Sequence, residues 1–236
     1  MASSPVPELA EPAAACAERL LAADSVLLAS HIDADGLTSA AIAATALERA
    51  GIRFETVFAK QLDEEEIAAI AATDHDTVLF TDFGSGQLDI IADHEGDGDF
   101  TPVIADHHQP ADATTEFHLN PLLYGLDGAT ELSGAGATYV LARALGTTKS
   151  ATDGATRSAT DGGVTADASA TAKPAGDNRD LAALAVVGAV GDRQAGVDGL
   201  TGANEGIVEE GVAAGVVEAG TDITLYGKQT RPLPKL

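Results

Sequence analysis

The sequence predicts an α/β domain built on a mainly parallel sheet flanked by helices, on three observations. Four short apolar runs, at 25–30, 53–58, 77–80 and 102–105, are separated by stretches with helical spacing. Strands joined through helices imply right-handed crossovers and parallel pairing. Three of the four runs end on acids or imidazoles, which places polar side chains together at one end of the strands. With 45% of its 236 residues hydrophobic, the chain can bury a sizeable core.

Residues 1–24 read as a polar lead and one helix, Glu8 to Ala23. Ser25-Val26-Leu27-Leu28-Ala29-Ser30 is a compact apolar run suited to a buried strand. It meets His31-Ile32-Asp33-Ala34-Asp35-Gly36, and a helical pattern follows from Leu37 to Ala50. Arg53 to Phe58 is a second strand and Glu64 to Ala72 a second helix. Thr77 to Phe80 is a third strand, ending at Asp82-Phe83-Gly84-Ser85-Gly86, and Pro102 to Ala105 a fourth, ending at Asp106-His107-His108. Gly134 to Leu145 reads as a helix opened by Ser133, a good N-cap residue.

Residues 147–176 break the pattern: they hold one larger aliphatic, Val164, and repeat Ser-Ala-Thr-Asp-Gly at 150–154 and 158–162. So little apolar area does not offset ordering entropy, and a disordered low-complexity insertion is expected. An apolar helix from Asp180 to Val190 then runs into Gly191-Asp192-Arg193, followed by a helix over Ala203 to Ala219 and a last strand at Asp222 to Tyr226. The expected organisation is a lead at 1–24, the main domain at 25–226, and the start of a linker to an absent second domain at 227–236.

The charge is lopsided: 37 acidic against 13 basic residues, net −24, with five Lys beside 22 Asp. Such a chain is suited to concentrated salt, which screens its self-repulsion. At first sight the same charge argues against a basic nucleic-acid-binding face. One cysteine, Cys16, excludes an internal disulfide and a thiolate metal cluster. The longest apolar stretch, Leu181 to Val190, is too short to span a bilayer, and the first residues lack a signal-peptide pattern. A cytoplasmic protein with no membrane partner is expected.

With 22 Asp, chance supplies roughly two Asp-x-Asp pairs, so a pair alone says little. Placement separates the three that occur. Asp33/Asp35 sits between an apolar strand and a glycine that opens a helix, where open α/β sheets gather ligand-binding groups. Asp74/Asp76 precedes a strand and Asp97/Asp99 lies in a Gly-rich stretch, so both read as solvated turns. His75, His94 and His118 read as ordinary structural histidines. The same test selects Asp82 and Asp106-His107-His108. In that last run both imidazoles cannot pack in one core, because neighbouring side chains diverge. The candidate set is therefore His31, Asp33, Asp35, Asp82, Asp106, His107 and His108, joined by Asp192. Carboxylates with imidazoles and no thiolate suit Mn²⁺ or Mg²⁺. There are enough donors for two ions with one carboxylate bridging, an arrangement suited to phosphoryl displacement.

These residues carry a family resemblance. The run from His31 to Ala40 resembles motif I of the DHH phosphoesterase superfamily, Asp82-Phe83-Gly84 motif II, Asp106-His107-His108 the run that names the family, and Gly191-Asp192-Arg193 motif IV. Asn120-Pro121 followed by Ser133-Gly134-Ala135-Gly136-Ala137 resembles the linking region of RecJ-like members, and with the acidity the chain is most similar to the haloarchaeal-type, archaeal RecJ-like branch. The resemblance implies a two-Mn²⁺ site, with His31 and Asp33 on one ion, Asp35, His107 and Asp192 on the other, and Asp82 bridging. It implies that Asp106 orients a ligand imidazole and that His108 meets the scissile phosphate or the leaving oxygen; Ser133 and Arg193 are further candidate substrate contacts. The implied activity is 5′→3′ exonucleolytic release of 5′-mononucleotides from single-stranded DNA, or RNA, alongside replication and repair proteins. Two other activities stay open: hydrolysis of short oligonucleotides, cyclic dinucleotides or pyrophosphate, and a non-catalytic replisome-associated binding role. Relatives of this kind carry a second, DHHA1-type domain, whose motif does not follow Asp192 here.

Overall fold

A computed structural model describes residues 4–159, 176–196 and 199–220. Helix α1 (Ala10–Ala22) follows a single 3₁₀ turn and leads into strand β1 (Ser25–His31). Then come α2 (Ala34–Ala50), β2 (Arg53–Ala59), α3 (Glu64–Ala71), β3 (Thr77–Thr81), α4 (Leu88–Asp97), β4 (Thr101–Ala105), β5 (His118–Leu119), α5 (Gly134–Ala159), α6 (Ala182–Gly191) and α7 (Ala203–Ala213). The sheet has order β2-β1-β3-β4-β5, and every neighbouring pair is parallel. The predicted α/β architecture is the observed one.

The strand order reverses between β1 and β3, so the crossovers leaving their carboxyl ends part to opposite faces and open a crevice. The register aligns those ends: Ser30 pairs with Thr81 and Thr81 with Ala105, which brings the residues just beyond three strands to one rim. Side chains alternate across the sheet. Val26, Leu28, Leu79 and Val103 pack under α1, α2 and α5, on which α6 rests in turn, while Leu27, Ala29, Phe80 and Ile104 pack against Ile67 of α3 and Ile91 of α4. Burial on both faces explains why these strands read as unbroken apolar runs.

Four elements depart from the sequence reading. Helix α4 and the two-residue β5 were not anticipated, because one is short and acidic and the other has no run to recognise. Helix α5, expected to end at Leu145, continues to Ala159. The first half of the expected insertion is therefore helical: extending an already nucleated, packed helix costs far less than starting one. The remainder, 160–175, lies outside the described residues, as do the expected last strand at Asp222 to Tyr226 and the linker at 227–236. Helix α7 stops at Ala213 and not Ala219, closing on Gly215.

Candidate metal centre at the strand ends

The site begins where β1 turns into α2. Asp33 caps that helix, accepting the Gly36 N–H at 2.9 Å. A Cβ on Gly36 would collide with the His31 carbonyl, so this abrupt strand-to-helix turn needs glycine. The turn splits the pair: Asp33 stays exposed, while Asp35 is buried beneath it. Asp35 is held by the first N–H groups of α5, from Gly134 at 2.7 Å and Ala135 at 3.0 Å, where a helix end favours an anion.

Asp82 follows β3 with φ 59°, a left-handed conformation that is strained for a residue with a side chain. Its carboxyl group is 1% exposed, yet neither oxygen has a hydrogen-bond partner among the described residues. His107 Nε2 lies 3.3 Å from one oxygen and His31 Nδ1 3.7 Å from the other. A Cβ on Gly134 would strike this carboxylate, so glycine at the start of α5 admits the helix end to the site. Burial, reinforced by repulsion from Asp35 and Asp106 and partly offset by His107, pushes the Asp82 carboxyl up to about 8. Burial likewise raises Asp35, against the N–H groups that hold it. For His107, burial lowers the pKa but is outweighed by Asp82 and the Gly128 carbonyl, which raise it to about 10. Crowding of buried acids favours their protonated forms.

Ligand atoms of His31, Asp33 and Asp82 lie within 4.8 Å of one another, and so do those of Asp35, His107 and Asp192. Asp82 sits between the two triads, with His31 Nδ1 3.1 Å from Asp33 on one side and His107 Nε2 3.8 Å from both Asp35 and Asp192 on the other. A third set, Asp82, Asp106, His107 and His108, overlaps them. All eight residues selected from the sequence meet at one rim. The orphaned, buried Asp82 oxygens and a donor set of carboxylate and imidazole fit a hard divalent cation such as Mn²⁺ or Mg²⁺.

The structure corrects three expectations. Asp106 does not orient the ligand imidazole of His107; it accepts from His108 Nδ1 at 2.7 Å, from Ser85 N–H at 2.9 Å and from His107 N–H at 2.8 Å. Despite its complete burial, those partners, His108 foremost, hold its carboxyl well below the usual range, and Asp106 in turn raises His108. The ring of His107 is set instead by the Gly128 carbonyl, which accepts from Nδ1 at 2.6 Å and leaves Nε2 for a ligand. Second, the imidazoles of His107 and His108 do not diverge: their centroids are 4.3 Å apart, and both face the rim. Third, Ser133 is fully buried and its hydroxyl caps α5 through Gly136 N–H at 3.1 Å, so it is shielded from substrate. Arg193 is exposed beside Asp192, at φ 65°. His118 is structural as expected, bonded to Ser85 at 2.9 Å.

The sequence reading assigned no role to a supporting layer: Ser85 and Asn120, the Gly128 carbonyl, Gln194, and Asn204 at the start of α7. It also missed Lys60. A cavity of about 570 Å³ opens beside the centre, lined by His31, Asp82, Phe83 and His108 together with Lys60 and Gln61. No helix among the described residues is long and apolar enough to cross a membrane.

Comparison with known proteins finds relatives of this fold. The chain is 30% identical over 189 residues to an uncharacterized protein of Methanocaldococcus jannaschii, covering 77% of this chain and 35% of that one, so it spans about a third of that relative's length. Its fold is similar to exonuclease RecJ bound to manganese, with TM-score 0.62 and 22% identity over 90% of this chain and 49% of that one. It is also similar to RecJ in complex with Mn²⁺ from Thermus thermophilus (TM-score 0.60, 23% identity, 90% and 28% covered). CDC45 from Entamoeba histolytica shares the fold (TM-score 0.53, 14% identity, 94% and 41% covered). Residues 25–163, more than half of the chain, match the model of the DHH family, N-terminal domain. This chain belongs to the DHH family.

Proposed function

We propose that this chain is the metal-dependent phosphodiester-hydrolysing domain of a RecJ-like nuclease, removing 5′-mononucleotides from the 5′ end of single-stranded DNA in repair or replication, in the company of other proteins of those processes. The observation that carries the reading is Asp82: a buried carboxylate with two unpartnered oxygens, each facing a different donor triad. In this reading His31 and Asp33 would hold one divalent ion and Asp35, His107 and Asp192 the other, with Asp82 available to both. Two such ions, when bound, stabilise charge developing on the phosphoryl oxygens and activate water. His108 lines the cavity and donates from Nδ1 to Asp106, which raises its pKa and favours the imidazolium, the form able to give a proton to the leaving oxygen. Lys60 and Arg193 supply positive charge for the phosphate backbone beside the cation-loaded rim.

The net charge of −24 fits this reading in a high-salt, cytoplasmic setting. Bound cations reverse the sign of the rim, and the reach of the surface acids falls to about 3 Å at 1 M salt. The test is Mn²⁺-dependent release of 5′-mononucleotides from end-labelled single-stranded DNA at molar KCl, with RNA, short oligonucleotides, cyclic dinucleotides and pyrophosphate in parallel. Turnover of the small substrates alone would move the assignment to them. No turnover of any substrate, with DNA still bound, would make the protein a non-catalytic binding module.

A further inference from the structure

Gln194 sits two residues beyond Asp192, 5% exposed, and its side-chain amide is engaged on every side. Nε2 lies 2.9 Å from Asp192 Oδ2 and 2.9 Å from the Gly128 carbonyl. Both are acceptors only, so the amide nitrogen must face them and spends both of its hydrogens there. Oε1 then faces Asn204 at the start of α7, which donates from Nδ2 at 2.6 Å. The Gly128 carbonyl that takes one of these hydrogens also accepts from His107 Nδ1 at 2.6 Å, so its two lone pairs serve His107 and Gln194 together. One buried amide thereby ties the Asp192 carboxylate to the group that sets the His107 ring. None of its hydrogen bonds reaches His31 or Asp33.

We infer that Gln194, backed by Asn204, is a positioning residue for one half of the centre: it holds Asp192 and His107 in ligating geometry and leaves the His31–Asp33 half untouched. This rests on the two-ion reading above. Partners of this kind fix a ligand's orientation and basicity, and their removal weakens metal binding by about 10- to 100-fold. The asymmetry of the contacts makes the loss selective for one ion.

The test is Mn²⁺ titration of the full chain by calorimetry, with the bound ions counted by electron paramagnetic resonance. Gln194→Glu keeps the shape but points a carboxylate at a carboxylate and a carbonyl. One binding step is expected to weaken about 10- to 100-fold while the other stays within about threefold. Asn204→Ala frees the far end of the amide, and the same step should weaken by a smaller factor. It also carries the test if circular dichroism in chelator shows Gln194→Glu unfolded. Both steps weakening alike, or neither, overturns the inference. Wild-type protein that takes up fewer than two ions overturns the two-ion reading, and this inference with it; two ions with no selective loss overturns this inference alone.

Discussion

Replacing Asp82 by Asn should stabilise the ion-free protein in mild alkali and yet destroy its response to metal. Asp82 and His107 both bind protons more tightly in the folded chain: burial lifts Asp82 from 3.8 to about 8, and, against the burial that lowers it, the Asp82 contact lifts His107 from 6.5 to about 10. A raised folded pKa contributes stability on the acid side that is lost as pH climbs through it. The ion-free wild type should therefore weaken between about pH 4 and 8, where the unfolded chain has released the Asp82 proton that the folded chain still holds, and between about pH 6.5 and 10 for the His107 proton in the same way. At about pH 8.5 the ionised Asp82 is buried beside Asp35 and Asp106. The His107 imidazolium 3.3 Å from one oxygen offsets part of that, but the other oxygen has no hydrogen-bond partner, and a buried polar group without one costs about 1–3 kcal/mol. Removing about 2 kcal/mol of that cost should raise Tm by about 4–8 °C in a chain of this size. Added Mn²⁺ reverses the order: at about 100 times Kd each ion contributes about 2.7 kcal/mol to the wild type, which the variant forgoes with the bridge. The assay is thermal unfolding by circular dichroism in molar KCl at about pH 6 and 8.5, with chelator or with Mn²⁺. A variant that melts below wild type in chelator at the higher pH, or gains as much from Mn²⁺, would refute this account of Asp82.

Three further outcomes follow from the same geometry. Asp74→Ala, at the opposite end of β3, should leave metal content and rate near wild type, whereas Asp82→Ala should abolish both; equal losses in a metal-content and nuclease assay would end the strand-end reading. Gly134→Ala sets a Cβ against the Asp82 carboxylate, and overpacking of that kind costs about 1–3 kcal/mol; calorimetry should find weakened Mn²⁺ binding together with a lower Tm. Lys60→Ala removes a cation from the cavity wall and should raise KM for single-stranded DNA about threefold to tenfold with kcat nearly unchanged, the salt dependence of KM becoming shallower.

Much of the centre was legible because its ligands belong to local patterns. An apolar run ending in Asp or His can be read without knowing what packs beside it, and parallel pairing brings such ends together wherever the strands lie in the sheet. Asp33 and Asp35 show the boundary of that legibility. Their spacing before Gly36 announced a strand-to-helix turn, but which acid would be buried depended on α5, which starts a hundred residues later. Ser133 was read correctly as a cap and wrongly as a substrate contact, since a capping hydroxyl and an exposed one look alike until burial is known. The 147–159 stretch misled for another reason: its weak composition could not start a helix, yet it could extend one already packed.

The sequence by itself determined the α/β class, four of the five described strands and the identity of the eight rim residues, because each is written in runs of a few neighbouring positions. Only the tertiary structure decided how those residues divide the work. It gave His107 to the Gly128 carbonyl and His108 to Asp106. It stranded Asp82 between two triads, and it placed Gln194 where one amide serves both Asp192 and Gly128. Those pairings depend on distances of a few ångströms between segments far apart in the chain, and helix packing across the sheet sets such distances.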